Sequence, residues 1–161
     1  MTLEVSELAM QHLIQKLQGQ QDYLVALRNQ AGISAAVTGL IAGVFANFLN
    51  NNVGLLFSND FLGFSILGLL ALLSFSASIV FSAMVVVHFS VFTFGFDAEK
   101  MLNFGAENDF EKFYSKYIRD GEFFFKENEE KIAQAQNKLL FAMIFGFVQI
   151  IPWVIMVGGI E

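Results

Sequence analysis

Three stretches without one charged side chain set the terms for this chain. Nothing is charged between Arg28 and Asp60, between Asp60 and Asp97, or between Lys138 and Glu161; these windows hold 31, 36 and 22 residues. Each carries enough apolar side chains to cross a hydrocarbon core, which takes ~20 helical residues. In lipid the backbone must bond to itself, so each window is expected to be helical. The fold class expected is therefore an all-α integral membrane protein, with three transmembrane helices and amphipathic cytoplasmic helices.

The first crossing is expected at about Ala31 to Leu49, ending at the polar run Asn47, Asn50, Asn51 and Asn52. Gly54, Ser58 and Asn59 mark a turn before Asp60. The second is expected to start near Phe61, and the third to run from about Leu139 to Ile160. A 36-residue helix is about 54 Å long at ~1.5 Å per residue, against a core of ~30 Å. Two crossings and a turn need more than ~40 residues. The middle window is thus one crossing that overshoots, expected to leave the membrane near Val87 or His88 and to continue as helix toward Ser90, Thr93 and Gly95.

Basic residues orient the chain. Lys16 and Arg28 precede the first crossing, and Lys100, Lys112, Lys116, Arg119, Lys126, Lys131 and Lys138 lie between the second and third. The positive-inside rule gives a cytoplasmic N-terminus and an outside C-terminus. The first apolar run begins only near residue 31, so no signal peptide is expected. The segments read as residues 1–30, a cytoplasmic amphipathic helix; 31–96, a transmembrane hairpin; 97–138, a cytoplasmic helical region; and 139–161, the third crossing.

In the first segment Leu3, Met10, Leu17 and Leu24 recur every seven residues. Leu13 and Leu27 fall on the partner seam, with Ser6 and Gln20 interrupting it. This suits a coiled coil, a helix lying on the membrane, or packing within the subunit. No proline separates this helix from the first crossing, so one continuous helix is compatible with the sequence. In 97–138, Asn108 with Glu111 suggests a helix cap, followed by an aromatic face of Phe110, Phe113, Tyr114 and Tyr117. Gly121 suggests a stop, and a second helix with Phe124, Phe125, Ile132 and Ala135 is expected to run into the third crossing. The aromatic face either packs on neighbouring helices or lines a ligand or intersubunit pocket.

Inside the crossings, Ala35, Gly39 and Gly43 form a small-residue row of the kind that lets helices approach closely. Ala142 and Gly146 do the same in the third crossing. Ser74, Ser78 and Ser82 share one face of the second, as close packing or as a weakly polar strip along water. Gln149, near the midpoint of the third crossing, is the most polar side chain deep in any of them. An unpaired amide in hydrocarbon costs several kcal/mol, so Gln149 must face protein or water. Pro152 can kink the helix nearby. His88 reads as interfacial first, and as a gate or proton sensor second.

Several function classes fall away. The chain has no cysteine, which excludes disulfide scaffolds and thiolate catalysis. Two histidines and no clustered ligands argue against a metal site, and no cofactor is expected. The net charge of −6 argues against nucleic acid as a direct partner. No phosphate loop or catalytic signature is visible, so no enzyme is expected.

The lead-in Ala26-Leu27-Arg28-Asn29-Gln30, the small-residue crossing from Ala31 to Phe48 and the crossing that follows resemble the small transmembrane effectors of bacterial nucleotide-signalling antiphage systems, the Pycsar and SLATT-type proteins. The resemblance spans roughly residues 20 to 90. It implies oligomerisation in the bacterial inner membrane and growth arrest by membrane disruption. This chain departs from that group by its third crossing and by lacking a separate sensor domain, which leaves the activating ligand unassigned. Two readings follow. One is a homo-oligomeric inner-membrane channel or pore-forming effector, with Gln149 or the serine strip along the path and a nucleotide or cytoplasmic signalling partner as trigger. The other is a non-conducting membrane subunit or anchor for a cytoplasmic partner.

Overall fold

The computed structural model describes residues 3–49, 54, 56–57, 64–87 and 91–158. Five helices follow one another: α1 Leu3–Phe48, α2 Ile66–Val86, α3 Ala98–Glu107, α4 Phe110–Val148 and α5 Ile150–Gly158. No strand occurs among the described residues. Three helical runs are long and apolar enough to cross a membrane: Glu4–Phe48, Ile66–Val86 and Phe110–Gly158. The chain divides into two compact units, Met1–Ala26 with Phe89–Gln134, and Leu27–His88 with Ala135–Glu161. We call them units 1 and 2. Both α1 and α4 run through the boundary.

Unit 1 is built on a seam between the first part of α1 and α4. The buried α1 positions are Ser6, Met10, Leu13, Leu17, Gln20 and Leu24. They alternate in steps of four and three, the spacing that keeps one stripe facing a partner helix. That partner is α4. Leu13 lies against Gly121, Lys16 pairs with Glu122 at 3.5 Å, and Gln20 Nε2 donates to the Phe125 carbonyl at 2.9 Å. Both numbers rise together, so the helices are parallel. Ser6 and Gln20 therefore belong to the seam they interrupt by polarity.

Two expectations for this unit are corrected. Gly121 does not end a helix, because α4 continues through it. A Cβ at Gly121 would stand 2.9 Å from Phe96 Cζ and closer still to the Leu13 side chain, so the position serves helix approach instead. The cap also shifts. Asn108 closes α3, its Nδ2 donating to the Phe104 carbonyl at 3.0 Å. Asp109 opens α4 by accepting from the Lys112 amide at 2.9 Å. A carboxylate at that position also suits the positive end of the helix.

The second apolar window is corrected at both ends. α2 begins at Ile66 rather than near Phe61. Ser65 caps it, its hydroxyl accepting from the Gly68 amide at 3.0 Å, and the Ser65 amide donates to the Leu56 carbonyl at 2.9 Å. At 21 residues it is about 32 Å long, close to the ~30 Å core. It also does not continue as helix past the boundary: residues 91–97 are non-helical. His88, Ser90 and Phe61, with the turn residues Asn50 to Asn52 and Ser58 to Asp60, lie outside the described residues.

In unit 2, α2 packs against both the second part of α1 and the α4–α5 run, which also touch each other. At one end Leu49, Ala71, Trp153 and Met156 form a core, with Phe45 stacked on Trp153 at 5.9 Å. On α2, Phe81 stacks on Phe145 at 5.9 Å and lies 5.5 Å from Phe141. The break between α4 and α5 falls at Gln149, three residues before Pro152. Proline has no amide to give the Val148 carbonyl and its ring crowds that oxygen, which is why the regular helix is interrupted there.

Candidate functional site

Unit 2 is apolar on its outside as well as in its core, and a small polar cluster lies buried within it. Its buried side chains include Thr38, Ser74, Ser78, Ser82 and Gln149. Its large exposed ones include Ile33, Leu40, Phe48, Leu73, Phe147 and Ile151. Water would reward the opposite arrangement. A bilayer rewards this one, because lipid solvates the outside and only protein can satisfy polar groups.

Thr38, Ser78 and Gln149 join in one network across three helices. Ser78 Oγ donates to the Ala142 carbonyl at 2.8 Å. That spends its single proton, so in the 3.0 Å contact between the two hydroxyls Thr38 Oγ1 is the donor and Ser78 Oγ the acceptor. Gln149 Nε2 donates to the Thr38 carbonyl at 3.2 Å. Gly146 allows the approach: a Cβ there would be 2.7 Å from Thr38 Oγ1 and 3.3 Å from Ser78 Oγ. Thus α1, α2 and α4 are tied at one level by side chains that lipid could not solvate. Three polar atoms nearby are buried without a partner: Gln149 Oε1, Ser82 Oγ and Trp153 Nε1.

The candidate residues divide accordingly. Gln149, Ser78, Gly146 and Ala142 meet at the network. Ser74 and Ser82 lie on the same buried face of α2, one turn to either side of Ser78. All of them face the interior of a single subunit. Gly39 and Gly43 do not: a Cβ at either would meet nothing within 4 Å. Ala35 is half-buried beside them. Thr38 is the centre of the network and was not singled out from sequence. Its signal is faint, a single hydroxyl among the small residues of α1.

In unit 1 the aromatic face splits. Tyr117 is buried, Phe113 and Tyr114 are half-buried, and Phe110 is 71% exposed. Tyr117 is the hub. Phe113 lies 4.9 Å away, Phe96 5.3 Å edge-on and Phe104 6.1 Å edge-on. Burial pushes the Tyr117 hydroxyl above its ordinary pKa, and Asp120 and Asp97 push the same way. Beside this cluster is a groove of about 540 Å³, lined by Phe96, Phe104, Phe124, Lys100, Lys116 and Asp120 among others. Lys116 Nζ sits 4.1 Å over the Phe104 ring, a cation–π contact.

Asn128, also unmarked in the sequence, holds the segment 91–97. Its Nδ2 donates to the Thr93 carbonyl at 2.8 Å and its Oδ1 accepts from the Thr93 amide at 3.2 Å. Lys131 Nζ donates to the Val91 carbonyl. The alternation Val91-Phe92-Thr93-Phe94-Gly95-Phe96 is the period-two signal of an extended segment. No group of three or more histidine or carboxylate side chains able to share a metal occurs among the described residues. No family model, curated protein or solved structure matches this chain.

Proposed function

We propose that the protein is a homo-oligomeric channel or pore-forming effector of the bacterial inner membrane. Unit 1 is its cytoplasmic part, the N-terminus is cytoplasmic and the C-terminus lies outside. The observation that carries this reading is the hydrogen-bonded cluster of Thr38, Ser78 and Gln149 buried in unit 2 beneath an apolar exterior. Polar side chains at membrane depth are costly unless protein or water solvates them. Here Thr38, Ser78 and Gln149 bond to one another and to backbone, which corresponds to a closed state. Parting α1 from α2 and α4 transfers these groups to water and opens a polar path. The free row at Gly39 and Gly43 is available to a second copy, and the groove beside Tyr117 is where a trigger acts, whether nucleotide or signalling protein. Antiphage defence by membrane disruption is the setting that the resemblance around Ala26 to Phe48 supports.

Ion flux in liposomes containing only this protein tests the reading. Wild-type flux that Gln149→Leu changes in size or selectivity while assembly persists supports it. The second reading, a non-conducting anchor for a cytoplasmic partner, is favoured by one specific observation: the polar groups of the network are turned inward. Absence of flux from a correctly assembled oligomer, with or without cytoplasmic extract, selects the anchor.

A further inference from the structure

We propose that Arg28 and Lys138 form a seat for the phosphate headgroup of an anionic phospholipid. The inference rests on the reading that unit 2 spans a membrane. Both residues belong to unit 2, one on α1 and one on α4. Each is the last charged residue before its helix enters a charge-free apolar stretch.

Their heights agree. Thr38 touches the Gly146 position, and Phe45 stacks on Trp153, so α1 and α4–α5 are parallel in unit 2. Arg28 lies ten residues before Thr38, and Lys138 eight before Gly146. The offset of two residues is ~3 Å along the helices.

Their sides agree as well. Leu27 and Leu139 are buried seam positions. Arg28 follows the first and Lys138 precedes the second, which sets them on one flank of a parallel seam, as e and g positions do in a coiled coil.

Among the described residues neither charge is compensated. Neither forms an ion pair among the described residues. The nearest carboxylates along the two helices, Asp22 and Glu130, are six and eight residues away, outside the three- and four-residue spacing at which helix side chains meet. Arg28 Nε is buried with no hydrogen-bond partner. A half-buried guanidinium beside a second cation at the level where a bilayer carries its phosphates calls for an anion, and the lipid phosphate is the anion held at that height. The rival acceptors are the last carbonyls of α2, which ends at Val86.

The experiment uses the full chain in non-ionic detergent. Binding of phosphatidylglycerol and of phosphatidylcholine with identical acyl chains is counted by native mass spectrometry. Each basic residue contributes about fivefold, so the pair sets a preference of about twenty-five-fold for the anionic lipid. Arg28→Gln with Lys138→Gln brings the ratio close to one and leaves phosphatidylcholine binding unchanged. Lys138→Gln alone takes part of the preference and guards against misfolding of the double variant. Lys126→Gln, the same charge change at an exposed unit 1 position, leaves it intact. Equal binding of the two lipids by the wild type overturns the seat, as does a preference that survives the double variant. Displacement of the lipid by millimolar inorganic phosphate shows a free-anion site and overturns the lipid assignment. If Arg28 instead serves the end of α2, Arg28→Gln lowers thermal stability equally in both lipids with the ratio unchanged, which also overturns the seat. Flotation with phosphatidylcholine vesicles after alkaline washing separates the two levels of failure. A chain that floats without lipid preference sinks the seat alone, whereas one that washes off sinks the membrane reading beneath it.

Discussion

Gln149 Nε2 reaches the backbone carbonyl of Thr38 at 3.2 Å, across 111 positions of sequence. It is fully buried, and its amide oxygen has no partner. The bond joins the first long helix to the last at the level where Ser78 joins the second to both. A side chain that from sequence suits a pore lining and a bond within the subunit alike is, in the single subunit, the clasp of a three-helix seam.

Replacing Gln149 by leucine removes the clasp and keeps approximate volume. The expected loss is about 0.5–2 kcal/mol of unfolding free energy in micelles, the range for interhelical hydrogen bonds in membranes. Denaturant unfolding in mixed micelles reads it. An unchanged midpoint would remove Gln149 from the account of the closed state.

Two kinds of glycine should part company. Gly146→Leu drives a side chain into Thr38 and Ser78 and is expected to cost about 1–3 kcal/mol, as overpacking does. Gly39→Leu and Gly43→Leu meet open space and should leave subunit stability within about 0.5 kcal/mol. If that row is a subunit interface, the latter pair lowers the assembly mass in detergent. Equal stability losses at all three positions would contradict the packing described.

Asn128→Leu deletes both bonds to Thr93. Leaving those backbone groups unpaired costs about 1–3 kcal/mol. The effect is expected locally, as faster amide exchange at Thr93 and new chymotryptic cleavage after Phe92 and Phe94. Unaltered exchange there would mean that Lys131 and ring packing suffice.

Tyr117 gives a pH signature. Its hydroxyl pKa is raised, chiefly by burial, so the folded state holds the proton more tightly than the unfolded one. Stability from this group is full below the ordinary tyrosine value of about 10 and is lost as pH rises through the folded value. Unfolding followed upward from about pH 9 should show that alkaline loss in the wild type and less of it in Tyr117→Phe. Matching profiles would disconnect Tyr117 from the alkaline limb.

Topology can be checked directly. Reporters placed after Asn52 and after Glu161 are both expected outside, from the placement of the nine basic residues. A cytoplasmic signal at either site overturns this topology.

Charge-free windows and helical length made the three long helices legible from sequence, because both depend only on composition along the chain. The identity of the partner in the Met10, Leu17 and Leu24 seam was not legible. A heptad states that a stripe is covered and not by which helix, and here the cover is α4. The end of α2 was misjudged because apolarity continues beyond Val86 while the period changes: Phe92, Phe94 and Phe96 alternate where a helix would step by three and four. Of the polar cluster, Gln149 and Ser78 could be marked by polarity against an apolar background. Thr38 could not, because its hydroxyl becomes the centre only when Ser78 and Gly146 are brought to it.

The clasp between Thr38 and Gln149 also bears on how the protein is made. Synthesis delivers α1 and α2 well before the residues that complete their interior. At that stage Thr38 and Ser78 can serve each other, but the Ala142 carbonyl and the Gln149 amide are still on the ribosome or inside it. On the proposed membrane reading, two helices with a half-finished polar face wait in the translocon or beside it, shielded from acyl chains, until the final third of the chain arrives. Maturation is then a closing step performed by the last segment to emerge, and on the same reading a nascent chain stalled before residue 139 exposes to the lipid the groups that the finished molecule hides.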